Sequence, residues 1–228
     1  MTPEQAHEEL ELDRGWREAE IYSLQNLCSN LASEQYASMR RALALLIYAH
    51  AEGFTKLSLN VYLRAINDTE LTCGQVKEQI AAATLREDLK KLRDPMAKHI
   101  DFPNEDQRDV HSLFIESQFI GNITNILATK VDLPDSTVDT ESNLWPRVLK
   151  RNLYRLALPD QQFRTIYGNL NKLVQKRNGI GHGADKDTLD IADYEAVRDC
   201  TFDLMRNLQG TIFSAISTSL YRRDEASA

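Results

Sequence analysis

The residues best suited to chemistry fall in one segment, Gln175-Lys176-Arg177-Asn178-Gly179-Ile180-Gly181-His182-Gly183, which holds three of the nine glycines in the chain. Arg177 brings a permanent positive charge and His182 an imidazole that exchanges protons near neutral pH. That pair suits phosphodiester cleavage in RNA. A neutral imidazole takes the proton of the attacking 2′-hydroxyl, while a guanidinium stabilises the charge that builds on the phosphate oxygens. This division of labour needs no metal, and no cofactor is expected. Asn178 adds a supporting amide that could bind phosphate or fix the orientation of the His182 ring.

The surrounding residues say how such a pair would be held. Steps of three and four along a helix lead from Ile166 through Leu170 and Leu173 to Arg177, so the guanidinium leaves the helix from its buried face. A charge in that position needs an anionic partner or a ligand. Glu52 is the candidate partner, because it shares a helix face with Leu45, Tyr48 and Leu59. Gly53 beside it costs about 1 kcal/mol of helix stability relative to Ala, which is understandable if another helix packs closely there. Gly181 and Gly183 leave His182 uncrowded. A plainer reading also exists, in which Gly179 caps the helix, Arg177 complements its dipole and His182 is merely exposed. His50 lies on an apolar stripe and reads as a hydrogen-bonded core histidine, whereas His7, His99 and His111 stand in polar surroundings without evident partners. Lys90-Lys91 with Arg93, and Arg222-Arg223, read as solvated helix faces that could edge an RNA groove.

The elements that must position these groups read as helices throughout. Met39, Leu43, Leu46, Ile47, Phe54, Leu57 and Val61 recur at helical spacing up to about Ile66, apolar almost all round between Ala42 and Ala49, as in a central buried helix. A weaker helix precedes it from Trp16 to about Leu31. Another follows Thr72 with Val76, Ile80, Ala83, Leu89 and Leu92, stopping at Asp94-Pro95. Asp106–Ala128 carries Val110, Leu113, Phe114, Ile120, Ile123 and Leu127 at the same period, and polar Asp132–Asn143 with Pro134 reads as loop. Trp145–Leu156 is a short helix. Pro159-Asp160 opens one bearing Phe163, Ile166, Tyr167, Leu170, Leu173 and Val174, and the last runs from about Ala192 to Tyr221 with Tyr194, Val197, Leu204, Leu208, Ile212, Ala215 and Ile216 inward. No strand or repeat is evident.

Composition agrees with a helical chain in a reducing compartment. The 228 residues are 42% hydrophobic with only 9 Gly and 6 Pro, enough for a sizeable core and poor in turn formers. Cys28, Cys73 and Cys200 are odd in number and widely spaced, which suggests neither a disulfide framework nor a zinc site. Glu4, Glu8, Glu9, Glu11 and Asp13 are unlike a secretory or organellar leader, and no apolar run approaches the roughly 20 residues of a membrane span. A cytoplasmic protein without membrane association is expected. Net charge −7 and a pI near 5.3 argue against binding nucleic acid by bulk electrostatics, so any RNA chemistry must use a local cationic cleft.

At two places the sequence resembles the HEPN superfamily (higher eukaryotes and prokaryotes nucleotide-binding domain), whose hallmark is Arg-x-x-x-x-His with a polar residue after the Arg. Arg177-Asn178-Gly179-Ile180-Gly181-His182 matches that pattern, and together with Tyr48–Phe54 it looks like the bacterial branch called MAE-like HEPN. The resemblance is clear over roughly Arg40 to Ile66 and Val174 to Tyr194. It implies an all-α, up-and-down helical bundle with extra helices, one domain over 1–228 with its core at about 35–222 and an added helix within 1–34. It further implies a homodimer in which two Arg-His motifs meet in one cleft as a metal-independent endoribonuclease with catalytic Arg177 and His182. Many such proteins are toxins of toxin-antitoxin pairs or effectors of antiviral defence, so an antitoxin or defence-system partner is an expected class of partner besides RNA. Ala184 stands where some HEPN toxins carry a tyrosine two residues after the His, so regulation through that tyrosine is not expected. Some HEPN domains bind nucleotides or proteins without cleaving, and that is the alternative. A third possibility is a helical adaptor or immunity protein whose acidic surface docks a basic partner.

Overall fold

The computed structural model describes residues 1–29, 31–93, 108–184 and 189–223. Among them are nine α-helices and no strand beyond two isolated bridges, so the chain is all-α. It divides into two compact units, one made of residues 1–65 and 135–220 and the other of residues 66–134 and 221–228.

The first unit carries the candidate site. Helix α1 (Pro3–Cys28) begins with a capping box, Thr2 accepting from the Gln5 N–H and Gln5 returning the bond, with Pro3 at the first helical position. It starts well before Trp16 because that cap is favourable and its acidic first turn meets the helix dipole. Helix α2 (Ser33–Asn67) is the long central helix that the spacing predicts. Leu43, Ala44, Ile47, Tyr48, Ala51 and Phe54 are buried on it, whereas Ala42 and Ala49 are exposed, so its apolar stretch has one solvent edge. Helix α7 (Pro146–Arg155) buries Val148, Leu149, Asn152 and Leu153. Helix α9 (Ile191–Ser217), capped by Asp190 through the Asp193 N–H at 2.7 Å, buries every residue predicted to face inward.

Between α7 and α9 lies the helix that ends in the Arg177 segment, α8 (Tyr167–Gly181). The stripe predicted to start it at Pro159-Asp160 instead begins as a 3-10 turn over Gln161–Ile166. Phe163 and Ile166, three residues apart and both buried, fall on one side of such a turn. Helix α9 packs against α1, α8 and this turn, and α7 packs against α8.

The second unit is built from short helices: α3 (Glu78–Thr84), α4 (Arg86–Lys91), α5 (Arg108–Gly121) and α6 (Ile123–Ala128). The single helix predicted over Asp106–Ala128 is interrupted at Gly121-Asn122, two weak helix formers. Leu113 and Ile120 on α5 are 64% and 65% exposed, so its apolar stripe is not absorbed into the core of this unit. That core gathers Ile66, Leu71, Val76, Ile80, Val131 and Leu133, and the Asn67 side chain brackets the Leu133 backbone with bonds of 3.0 and 2.9 Å. Asp94-Pro95, His99 and the predicted helix start at Asp106 lie outside the described residues. Among the described residues, no helix is long and apolar enough to cross a membrane. The three cysteines are free and buried.

Candidate active site at the end of helix α8

Helix α8 continues through Gly179 and stops only after Gly181. The His182 N–H reaches the Asn178 carbonyl at 3.0 Å and the Gly183 N–H reaches that of Ile180 at 3.1 Å. Gly183 has φ +69°, the left-handed conformation that closes a helix and that glycine adopts without penalty. Gly183, rather than Gly179, is therefore the stop. Leu170, Leu173 and Val174 are buried, Arg177 and Asn178 are half-buried, and His182 is exposed.

Arg177 emerges at the end of the buried stripe into a set of neutral partners. Its Nη1 donates to Asn178 Oδ1 at 2.8 Å and to Asn143 Oδ1 at 3.3 Å, and its Cζ lies 4.9 Å from the centroid of the Tyr48 ring. The ion pair expected between Arg177 and Glu52 is not formed. Tyr48 and Glu52 are four residues apart on α2, one above the other, so the phenol is the carboxylate's nearer partner and its ring takes the guanidinium. Tyr48 is buried. Its hydroxyl accepts from the Leu144 N–H at 2.9 Å and lies 3.5 Å from the Ser142 carbonyl oxygen. Burial pushes this phenol up to about 12, against the Leu144 hydrogen bond and with help from the Glu52 carboxylate.

Asn143 and Tyr48 were not singled out as site residues by the sequence, because Asn143 arrives on a loop. Asn152, fully buried on α7, accepts from the Asp139 N–H at 3.2 Å and donates to the Asp139 carbonyl at 2.9 Å. Arg151 donates to the same carbonyl at 3.0 Å and to the Glu141 carboxylate. Glu141 and Ser142 then take φ of 51° and 58°, a left-handed conformation that costs non-glycine residues about 1–3 kcal/mol each. The turn closes through Asn143 N–H to Thr140 O at 2.9 Å and Trp145 N–H to Asn143 O at 2.8 Å, which delivers the Asn143 amide to Arg177. The one signal in the sequence is Asn152, an amide amid the apolar positions of a short amphipathic helix.

His182 lies past the last turn of α8 as its C-cap residue. Five residues along an α-helix turn the side chain by about 140° and advance it by about 7.5 Å, so the two groups leave α8 on different sides. The other described histidines are His50, His7 and His111. His50 is buried with Nε2 at 2.8 Å from Glu20 and Nδ1 at 3.3 Å from Arg17 Nη1, as a core histidine should be. His7 stacks edge-on with Phe213, and His111 is buried. Gly53 does mark a close approach, since a Cβ there would sit 2.9 Å from Arg17 Nη1 of α1. Lys90 and Lys91 are matched by Glu87 and Asp88, and Arg223 by Glu78. Among the described residues, no three His, Cys, Asp or Glu side chains gather to hold a metal ion.

The structure thus presents a half-buried guanidinium held by neutral partners, with His182 exposed at the end of the same helix. Comparison with known families matches residues 6–221 to the one described as MAE_28990-like HEPN. No curated protein and no solved structure matches the chain.

Proposed function

From the premise that this chain belongs to the MAE_28990-like HEPN family, we propose that it is a metal-independent endoribonuclease in which Arg177 stabilises phosphate and His182 moves the proton. The observation that carries this reading is the environment of Arg177. A half-buried guanidinium is held by two amide oxygens and an aromatic face, with no carboxylate paired to it among the described residues. Such a charge favours an anionic ligand, and a phosphate oxygen pair fits its donor fork. HEPN domains are commonly ribonucleases or nucleotide binders, and both uses need that anion site.

The offset of Arg177 from His182 around α8 supports a homodimer as the working form. Two copies meeting at the ends of their α8 helices would bring the imidazole of one to the guanidinium of the other, and would double the local positive charge on an otherwise acidic protein. The family match covers residues of both compact units, which supports reading 1–228 as one HEPN-type domain. A cytoplasmic growth-arresting role, as a toxin with an antitoxin or as a defence effector cutting cellular RNA, is the biological setting proposed for this activity. The alternative is a non-catalytic module that binds a nucleotide or protein through the same anion site.

The deciding experiment is cleavage of total RNA and tRNA in excess EDTA by wild type and His182→Ala, both checked for folding by circular dichroism. Cleavage by wild type alone is the expected result. Activity that survives in His182→Ala, or that requires magnesium, rejects the mechanism. Binding of a nucleotide without cleavage by either protein would favour the non-catalytic reading.

A further inference from the structure

We propose that the stripe of α7 formed by exposed Arg147, Lys150 and Tyr154, with half-buried Arg151 among them, guides single-stranded RNA to the Arg177 site, Arg147 and Lys150 holding its phosphates and Tyr154 stacking one base. The substrate class rests on the ribonuclease reading; the surface itself rests on observations independent of it. Helix α7 spans ten residues, PRVLKRNLYR, with four Arg or Lys and no acid, in a chain whose acids outnumber its Lys and Arg by 34 to 27. Positions 147, 150, 151 and 154 follow the three-and-four spacing of a single helix face.

The opposite face of α7 is spent on the core through Val148, Leu149, Asn152 and Leu153, so no apolar face remains to enter a membrane. Arg147 and Lys150 are exposed and have no carboxylate partner among the described residues. Lys150 is steadied instead by the Tyr167 ring, 4.6 Å from Nζ to centroid, which leaves its charge available. Tyr154 is 68% exposed, an aromatic surface at the far end of the stripe on which a base can stack. From Arg147 to Tyr154 the stripe runs about 10 Å, enough to follow about two phosphates of one strand.

The stripe and the candidate site are joined by one loop. Arg151 grips Glu141 and the Asp139 carbonyl, and two residues after Glu141 the Asn143 side chain meets Arg177. A strand lying along α7 toward Arg147 thus runs to the end of α7 that adjoins the guanidinium. This answers the acidic pI without bulk charge, because the positive field is confined to one short helix and the end of its neighbour.

The test uses His182→Ala as the background, so that RNA is bound without being cut, and measures affinity for a fluorescent single-stranded oligoribonucleotide across a salt series. Adding Arg147→Ala with Lys150→Ala should weaken binding about tenfold and reduce the salt slope by about 1.4, the loss of two phosphate contacts. Tyr154→Ala should weaken binding about fivefold with the slope unchanged. Lys90→Ala with Lys91→Ala on α4 should change neither, and all variants should keep the parental circular dichroism. The proposal is overturned if the background protein binds no RNA, if the α7 double variant stays within twofold of it at the same slope, or if the α4 pair loses as much. Cleavage by wild type in EDTA is scored separately. RNA held through α7 but never cut would leave this surface standing and sink the ribonuclease reading, whereas cutting with no effect of α7 would do the reverse.

Discussion

The guanidinium carbon of Arg177 on α8 lies 4.9 Å from the centre of the Tyr48 ring on α2, and the hydroxyl of that ring accepts a hydrogen bond from the Leu144 N–H. One side chain therefore supports the candidate phosphate-binding group on its face and fixes the loop that brings Asn143 with its edge. The Glu52 carboxylate acts on the same phenol, raising its pKa together with burial.

Tyr48→Phe separates these two duties. The ring stays for Arg177, but the N–H of Leu144, a fully buried residue, loses its acceptor, and an unpaired buried donor costs about 1–3 kcal/mol. Urea unfolding should show a loss of about 2 kcal/mol, with cleavage reduced but present. A variant as stable as wild type would mean that water or another group serves Leu144.

Asn152→Leu tests the loop from its far side. The replacement keeps the branched shape, though it is bulkier, and leaves the Asp139 N–H and carbonyl without the Asn152 amide. Because Asp139 is exposed and water can replace part of the loss, destabilisation should be about 1–2 kcal/mol. Cleavage should fall more than stability does, since Asn143 is then free to leave Arg177. If activity is unchanged at a temperature where the variant is folded, the loop does not position the guanidinium.

Gly183→Ala addresses the histidine. Open space surrounds Gly183, so the cost is conformational: φ +69° is disfavoured for alanine by about 1 kcal/mol. The expected result is a melting temperature lowered by a few degrees, about 2–4 °C for a domain of this size, and weaker cleavage as His182 shifts with the helix end. Gly183→Asn should keep more of both, because asparagine tolerates the left-handed region.

These variants also mark what could be read from the sequence and what could not. Helical period found α2, α8 and α9 because each buries a stripe whose spacing is local information. It overran at Gly121-Asn122 and at Gln161–Ile166, where backbone preference and turn geometry decide rather than apolar spacing. Arg177 was legible because it continues a buried stripe. Asn143 was not, since its position depends on two left-handed residues and on a contact with Asn152 that no periodicity encodes. The Glu52 pairing failed for a related reason: periodicity put Arg177, Glu52 and Tyr48 each on a buried helix face, but it does not tell which of the two α2 side chains meets the guanidinium, and the Tyr48 ring does.

The contact between α1 and α2 predicts a dependence on acid. His50 is held by Glu20 at Nε2 and by Arg17 at Nδ1, with the Trp16 ring edge-on against it and Asp13 paired to Arg17 at 2.5 Å. Burial, and then the Arg17 charge, lower its pKa from the ordinary value of 6.5, with the Glu20 and Asp13 charges opposing. For a base depressed in the folded state, the unfolded chain takes up the proton first. Stability is therefore complete above about pH 6.5 and falls as the pH drops below it, until the folded form also protonates. Urea midpoints measured from neutral pH downward should decline over this range in wild type. His50→Gln, which cannot titrate, should flatten that part of the profile while costing some stability at neutral pH through imperfect bonds to Arg17 and Glu20. An equal decline in both proteins would assign the acid sensitivity to carboxylates elsewhere and leave the Arg17–His50–Glu20 contact without a role in it.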